Sequence, residues 1–210
     1  MSNTRATHYA QPTQKPLVGV LALQGDFREH CKMLKEVGAE AREVRLPADL
    51  EELDGLIIPG GESTTIGKLM VAYELQEPLR RLIVSGVPVW GTCAGLILLA
   101  RETDNALAGQ PLLATMHARV RRNAFGSQGE SFEADLTVPA LGEPDFHAVF
   151  IRGPSVERVD DGVEVLARLE DGTIVAVREG VLLGTAFHPE VTGDPRFHAY
   201  FLRMIQTQRN

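Results

Sequence analysis

A cysteine between two glycines is the first candidate for chemistry in this chain. Cys93 lies in Gly-Thr-Cys-Ala-Gly (91–95), after one short apolar run and before another. This is the cysteine form of a nucleophile elbow, in which a sharp strand-to-helix turn exposes the nucleophile. The free N–H groups at the helix start favour a thiolate, and the N–H of Ala94 is placed to bind an oxyanion. The alternative is that Cys93 only fills a buried turn, because cysteine is among the most buried residue types.

A thiolate that attacks an amide needs a general acid for the leaving amine, and histidine suits this role. Among the six histidines, His188 alone directly follows an apolar strand pattern and precedes a proline, which favours an extended backbone. Side chains two positions apart in an extended chain point the same way, so Glu190 is predicted to orient the imidazole. His30 and His198 are interpreted as solvated or core-edge helix residues. The other histidines have no supporting pattern: His8, His117 and His147.

The sequence Pro-Gly-Gly-Glu-Ser-Thr (59–64) is a further candidate element, and three interpretations of it are open. It fits a plain strand-to-helix turn in which Ser63 and Thr64 cap the helix. It also resembles a phosphate loop, although the Gly-Lys-Ser/Thr of a Walker motif is absent. The third interpretation is an oxyanion loop, whose glycine N–H groups face a developing negative charge.

The first half of the chain alternates apolar strand patterns with helical patterns. Asp26 is predicted to cap the first helix, which ends near Val37 and places Cys31 on its core face. The candidate residues follow strand ends, which is where ligands bind in open α/β sheets. The predicted strands cover 17–23, 41–46, 55–61 and 87–91, and helices follow at 26–37, from 63, from 78 and at 94–102.

The second half is predicted to consist mainly of short strands. Asp171-Gly172 and Glu179-Gly180 mark hairpin turns, and a helix capped by Asp194 closes the chain from about Pro195. The predicted fold class is therefore α/β: a single domain over 17–210 with a doubly wound, mostly parallel sheet, helices on both faces and an antiparallel extension. Residues 1–16 are predicted to be a disordered N-terminal extension.

Composition limits the function classes. Apolar residues make up 44% of the 210 residues, and the net charge of −7 argues against nucleic acid or an anionic membrane as the main partner. No apolar run reaches the about 18 residues that suggest a spanning helix, and the N-terminus lacks the apolar region of a secretory signal. Only two cysteines are present, which fits a reducing cytoplasm rather than a disulfide framework.

Several blocks together resemble a known family. The elbow with Phe-His-Pro-Glu (187–190) is similar to the Cys-His-Glu triad of class I glutamine amidotransferases. The blocks at 19–30, 59–69, 122–136 and 150–154 are similar to the glutaminase subunit of pyridoxal 5′-phosphate synthase. The resemblance covers about 17–205, and its subfamily blocks are more specific than the triad alone.

The resemblance implies a role for each matching residue. Cys93 attacks the side-chain amide of L-glutamine, His188 protonates the departing ammonia, and Glu190 holds His188. Water then hydrolyses the γ-glutamyl thioester to glutamate. No metal or other cofactor is expected. The resemblance also implies Gly61 and Ala94 as oxyanion donors, Gln24 as a neighbour of the oxyanion hole, and these glutamine-binding residues: Gly61, Glu62, Ser63, Arg122, Ile151 and Arg152.

The family passes its ammonia to a separate synthase subunit, a (β/α)8 barrel that assembles into rings. That subunit builds pyridoxal 5′-phosphate from ribose 5-phosphate and glyceraldehyde 3-phosphate, and docking on it activates the glutaminase. The nearest alternative is a glutaminase subunit of another pathway, such as imidazole glycerol phosphate synthase. Two other classes remain: a cysteine-elbow protein of the stress-response or protease-like kind, which should lack the His-Pro-Glu, and a binding module with a decayed site.

Overall fold

The computed structural model describes residues 14–125 and 131–209. Most of the predicted extension over 1–16 therefore lies outside the described residues. The strands in the described ranges are β1 (Leu17–Leu21), β2 (Glu40–Val44), β3 (Gly55–Ile58), β4 (Val89–Thr92), β5 (Ala100–Asp104), β6 (Met116–Arg121), β7 (Ser131–Leu136), β8 (Phe146–Ile151), β9 (Ser155–Val159), β10 (Glu164–Arg168), β11 (Ile174–Glu179) and β12 (Leu182–Thr185). The α-helices there are α1 (Phe27–Glu36), α2 (Ser63–Ala72), α3 (Gln76–Val84), α4 (Ala94–Leu99) and α5 (Arg196–Arg209).

One large mixed sheet forms the centre of the fold, in the order β2-β1-β3-β4-β12-β11-β9-β6-β5 with β10 paired to β11. The half from β2 to β12 is parallel throughout. Strands β12, β11, β9 and β6 then pair antiparallel, and β7 and β8 form a separate two-stranded sheet. This confirms the predicted mostly parallel α/β sheet with an antiparallel extension. The predicted hairpin turns at 171–172 and 179–180 connect β10, β11 and β12, as expected.

Helices cover both faces of the parallel half, and two neighbouring residues of β4 show this. Trp90 packs its ring on Phe197 and Phe201 of α5. A Cβ on Gly91 would lie 2.5 Å from the backbone of Gly95 in α4. Because successive residues of a strand point to opposite faces, α5 and α4 lie on opposite sides of the sheet.

The helix after Cys93 is shorter than predicted. The pattern predicted a helix over 94–102, but α4 ends at Leu99 and Ala100 begins β5. The chain changes direction there because β5 pairs with β6, a contact that the apolar pattern of Leu96–Leu99 does not reveal. Strand β5 begins inside the predicted helix, and β6 and β9 were not predicted, because each of the three contains at least two charged residues, which weaken an apolar strand pattern.

The closing helix agrees with its prediction. Helix α5 begins at Arg196, whose backbone N–H donates to the Asp194 carboxylate over 2.9 Å. The side chains of this helix that are buried in the core are Phe197, His198, Tyr200, Phe201, Leu202, Met204 and Ile205. None of the helices in the described ranges is long and apolar enough to cross a membrane.

Candidate active site

Cys93 occupies a strained turn between β4 and α4. Its φ of 47° and ψ of −102° lie in a region that residues with a side chain rarely adopt. The turn is tied to the neighbouring strand because the Cys93 N–H donates to the Thr185 carbonyl over 2.8 Å. A Cβ on Gly95 would lie 1.9 Å from the Ile58 carbonyl oxygen, so only glycine lets α4 start this close to β3. The local geometry is that of a nucleophile elbow.

His188 lies three residues beyond the end of β12, and its side chain is almost fully buried. Its backbone N–H donates to the Val149 carbonyl over 2.8 Å. Its Nδ1 lies 2.7 Å from Oε1 of Glu190, a carboxylate with no exposed side-chain surface. The extended backbone predicted for this segment is wrong, because Pro189–Val191 form a 3₁₀ turn. The turn, rather than strand alternation, brings the two side chains together.

The pKa of His188 reflects three polar neighbours. Burial alone would lower this pKa, but interactions with Asp26, Cys93 and Glu190 outweigh burial and raise it to about 12. Burial raises the pKa of Glu190, while its bond to His188 acts in the opposite direction. A protonated imidazole is therefore the favoured state of His188 at neutral pH.

Asp26 contributes a second carboxylate to His188, which the sequence interpretation missed. The residue occupies the N-cap position of α1, but its side chain makes no capping hydrogen bond. The carboxylate instead lies 3.3 Å from Nδ1 of His188. The prediction that the Asp26 side chain caps the helix is therefore wrong, because its carboxylate contacts His188, which is distant in sequence, instead of the free N–H groups of α1.

Replacing Asp26 with asparagine is expected to lower the pKa of His188, because the Asp26 carboxylate is one of the groups that raise it. The imidazolium then loses its proton at lower pH than in the wild type. An NMR titration of the His188 ring protons in both proteins measures this shift. Asp49→Asn is the control, since the Asp49 carboxylate accepts backbone hydrogen bonds from Arg45 and Leu46 and does not line the cavity. An unchanged His188 midpoint in Asp26→Asn would contradict this account.

The predicted site residues lie together around one cavity of about 370 Å³. All of them line it except Glu190, which lies behind His188, and Asp26, Ile97 and Asn123 complete the lining. The thiol of Cys93 lies 4.0 Å from the Ile151 carbonyl oxygen. A larger surface depression of about 530 Å³ runs along α1 but contains neither Cys93 nor His188. The smaller cavity is therefore the candidate active site.

Glu62 shapes one rim of this cavity and caps α2. Its carboxylate accepts hydrogen bonds from the backbone of Thr64 (3.0 Å) and Thr65 (2.7 Å). The predicted capping by Ser63 and Thr64 is therefore wrong, because both lie inside the first turn of the helix. Burial would raise the pKa of Glu62, but the bonds from Thr65 and Thr64 outweigh it and lower the pKa to about 2.

Replacing Glu62 with alanine is expected to lower the free energy of unfolding by about 1 kcal/mol, through loss of the helix cap. A carboxylate with a lowered pKa contributes stability above its ordinary pKa of 4.5, and this is lost as pH falls toward about 2. Urea unfolding should therefore separate wild type from variant at pH 7 and bring them together in acid. Lys68→Ala, an exposed change on the same helix, should show no such convergence.

Arg122 connects this rim of the cavity to a residue that the sequence analysis did not predict as part of the site. Its guanidinium donates to Gln110 Oε1 over 2.9 Å and lies 3.3 Å from Oε1 of Glu62. Gln110 in turn donates to the Ser63 hydroxyl over 3.1 Å. No local motif marks Gln110, which lies in a connection between β5 and β6. The network fixes Arg122, which presents a guanidinium to the cavity.

Gln24 and Gly61 contact each other in the lining of the same cavity. The Glu62 N–H donates to Oε1 of Gln24 over 2.7 Å. Gly61 has a φ of 151°, and a Cβ there would lie 2.5 Å from the same oxygen. The Gly60 carbonyl accepts a hydrogen bond from the Asp26 N–H over 3.3 Å. Because the C=O and N–H of a trans peptide point in opposite directions, the N–H of the Gly60–Gly61 peptide points away from Asp26.

The structure places Cys31 and four of the remaining histidines, whereas His8 lies outside the described residues. His30 and His198 are completely buried, so their solvated or core-edge interpretation is wrong. His117 pairs with Glu179, and His147 lies at the surface between Asp135 and Glu133. The core-face prediction for Cys31 holds in part, because its thiol is half-buried and burial raises its pKa to about 11.

The same site offers the closest approach to a metal-binding geometry among the described residues. Asp26, His188 and Glu190 present ligand-type atoms within 4.8 Å of one another. The short bond from His188 to Glu190 accounts for this closeness, since Nδ1 is already engaged. The arrangement is therefore described as a hydrogen-bonded triad rather than as a set of ligands.

Comparisons with known proteins cover nearly the whole chain. The SNO glutamine amidotransferase family matches residues 20–207. A curated relative from Herpetosiphon aurantiacus, pyridoxal 5′-phosphate synthase subunit PdxT, is 58% identical over 186 residues, which cover 88% of this chain and 98% of the relative. The PdxT subunit of Parafrankia sp. is 56% identical over 193 residues, covering 92% and 95%. A solved structure of a glutamine amidotransferase has a TM-score of 0.84 and 54% identity, covering 90% of this chain and 98% of its own.

Proposed function

This chain belongs to the SNO glutamine amidotransferase family, and from that premise we propose that it hydrolyses L-glutamine to L-glutamate and ammonia as the glutaminase subunit of a pyridoxal 5′-phosphate synthase. Residues 17–210 form the glutaminase domain in this proposal. The observation that carries the proposal is the elbow cysteine in one cavity with a His–Glu pair. The names of the relatives support this pathway over another amidotransferase such as imidazole glycerol phosphate synthase.

Cys93 is the nucleophile of the proposed reaction. Its thiolate attacks the side-chain amide carbon of glutamine and forms a tetrahedral intermediate with a negatively charged oxygen. The backbone N–H groups of Gly61 and Ala94 are the proposed donors to this oxygen. The strained backbone of Cys93 supports this role, because strain of this kind persists where the surrounding structure holds a residue for function.

His188 is the proposed general acid and base. It donates a proton to the departing ammonia as the C–N bond breaks, which leaves a γ-glutamyl thioester on Cys93. It then accepts a proton from the water that hydrolyses the thioester, so the thiolate leaves and glutamate forms. Glu190 holds the imidazole through the 2.7 Å bond to Nδ1, which leaves Nε2 to face the reacting atoms.

The cavity rim supplies groups for the backbone charges of glutamine. The guanidinium of Arg122 suits the substrate α-carboxylate, since arginine binds carboxylates through paired donors. Arg152 lies at the same cavity in a left-handed conformation with a φ of 48°. Glu62 stays ionised because of its lowered pKa, and its charge suits the α-ammonium group. Gly61, Ser63 and Ile151 complete the proposed glutamine site, with Gln24 supporting the oxyanion loop.

The ammonia is consumed by a partner synthase subunit in this proposal. The partner is a (β/α)8 barrel in a large hetero-oligomer, and it uses ribose 5-phosphate and glyceraldehyde 3-phosphate. A reducing cytoplasm suits the reaction, since the thiol must stay free. Neither metal nor organic cofactor enters the steps assigned to this chain.

A glutaminase assay with and without a pyridoxal 5′-phosphate synthase subunit tests the proposal. Glutamate release is expected to depend on added glutamine and to rise strongly when the synthase subunit is present. If the mixture released no glutamate, the proposed activity would be rejected. Equal release with and without the partner would reject the proposed activation while leaving the hydrolysis.

A further inference from the structure

A fully buried pair of histidines lies directly behind the His188–Glu190 pair. His30 on α1 and His198 on α5 have no exposed surface, and Nδ1 of His30 lies 2.9 Å from Nε2 of His198. Both rings pack against the Trp90 indole, with centroid separations of 5.6 and 4.9 Å. The mechanism described above uses neither histidine, so their burial needs another explanation.

The other nitrogen of His30 faces the second carboxylate oxygen of Glu190. Nε2 of His30 lies 3.3 Å from Oε2 of Glu190 and 3.2 Å from Oγ1 of Thr92. The ring N–H points more directly at Thr92, so Oε2 has no well-aligned hydrogen bond among the described residues. A buried carboxylate oxygen is costly without a donor, and the nearby imidazole nitrogen is positioned to supply one.

The surroundings decide which nitrogen of His30 carries the proton. Burial, followed by the charges of His198 and His188, holds the pKa of His30 well below its usual value, so the ring is neutral. A carboxylate oxygen 3.3 Å from Nε2 repels a lone pair and attracts an N–H, which favours the proton on Nε2. Nδ1 then accepts from Nε2–H of His198, and Nδ1 of His198, which has no partner in the described structure, keeps only a lone pair.

The opposite assignment is less favourable. With its proton on Nδ1, His30 would donate to His198 and turn a lone pair toward the Glu190 carboxylate. His198 would then carry a buried Nδ1–H without an acceptor in the described ranges. An unpaired buried donor and a lone pair against a carboxylate both raise the energy of that arrangement.

We propose that His30 is a positioning residue for the catalytic pair: its Nε2–H, shared between Thr92 and Glu190, fixes the Glu190 carboxylate so that its other oxygen holds His188. This inference rests on the proposed function, because it acts through the roles assigned to His188 and Glu190. His198 fixes the His30 ring from behind. The donor helps to keep Glu190 ionised against its burial, and an ionised Glu190 keeps His188 in place.

Two substitutions of similar size separate this role from simple packing. In His30→Gln the side-chain amide nitrogen can reach the position of Nε2 and donate, whereas His30→Leu fills the space without a donor. In the complex with the synthase subunit, His30→Leu is expected to reduce kcat by about 10- to 100-fold with little change in KM, because the buried Glu190 carboxylate loses the donor that faces its second oxygen. His30→Gln should retain kcat within a few-fold of the wild type.

The outcomes distinguish this inference from the proposed function. If wild-type complex releases no glutamate, the proposed function fails and the inference fails with it. If the wild type is active and the two variants have equal kcat, or if His30→Leu matches the wild type, the inference alone is overturned. Thermal unfolding of both variants is measured alongside, so that loss of folding is recognised.

NMR of the wild-type chain tests the inference without any substitution. The ¹⁵N shifts of the His30 ring are expected to report a neutral imidazole with its proton on Nε2 at neutral pH. A proton on Nδ1 would overturn the inference even if neither variant folds, because that form cannot donate to Glu190. Selective ¹⁵N-histidine labelling, with through-bond assignment of the His30 ring from its own backbone in the wild-type chain, identifies the signals.

Discussion

Cys93→Ala is expected to reduce glutamate release by at least about 10⁴-fold in the complex, because the variant lacks the atom that forms the thioester. The substitution removes one Sγ atom from a nearly buried turn and leaves the N–H groups of the elbow in place. Folding and partner binding should therefore be retained while chemistry is lost. Coupled detection of glutamate measures the rate, and thermal unfolding checks the fold.

Cys31 provides the matched control for this experiment. It is the only other cysteine in the sequence, and its half-buried thiol lies on α1 beside the surface depression rather than the cavity. Its pKa of about 11 keeps it protonated at neutral pH, so it should react slowly with iodoacetamide. Cys31→Ala should therefore keep wild-type glutamate release. Wild-type rates in Cys93→Ala would reject the proposed mechanism.

His188→Asn is expected to reduce kcat by about 10²- to 10⁴-fold, the range that a positioned general acid and base contributes. The asparagine amide can keep a donor near Glu190 Oε1, but it has no group at the position of Nε2. Proton transfer to ammonia and from water is therefore lost, whereas the pocket for glutamine persists. Steady-state kinetics should show the loss in kcat, with KM changed far less.

His147→Asn is the control for this change. His147 lies at the surface between Asp135 and Glu133, whose hydrogen bonds raise its pKa. His147 does not line the cavity, so the His147→Asn variant is expected to keep the wild-type kcat. A His188→Asn enzyme with wild-type kcat would show that another group transfers the proton, and Asp26 would be the first candidate because it lies 3.3 Å from the same ring.

Local sequence patterns predicted the parts of the fold that depend on local physics. The alternation of apolar strands and helices, the hairpin turns at 171–172 and 179–180 and the capped closing helix all agree with the structure. The elbow around Cys93 could be predicted because its glycines and strand–turn–helix order lie within a few residues. Strands β5, β6 and β9 were missed because their charged residues interrupt the apolar pattern, and only their pairing with one another identifies them as strands.

The candidate site shows the same division between local and long-range information. The sequence by itself determined which residues have the required chemistry: a glycine turn after the third predicted strand, a cysteine at the next strand end and a His-Pro-Glu after a late strand. Only the tertiary structure decided that Asp26 turns from its helix to His188, that Glu62 caps α2, and that His30 meets His198 across 168 positions. These contacts join elements distant in sequence, and the packing of α1 and α5 against one sheet, not any local pattern, sets which polar groups are buried together.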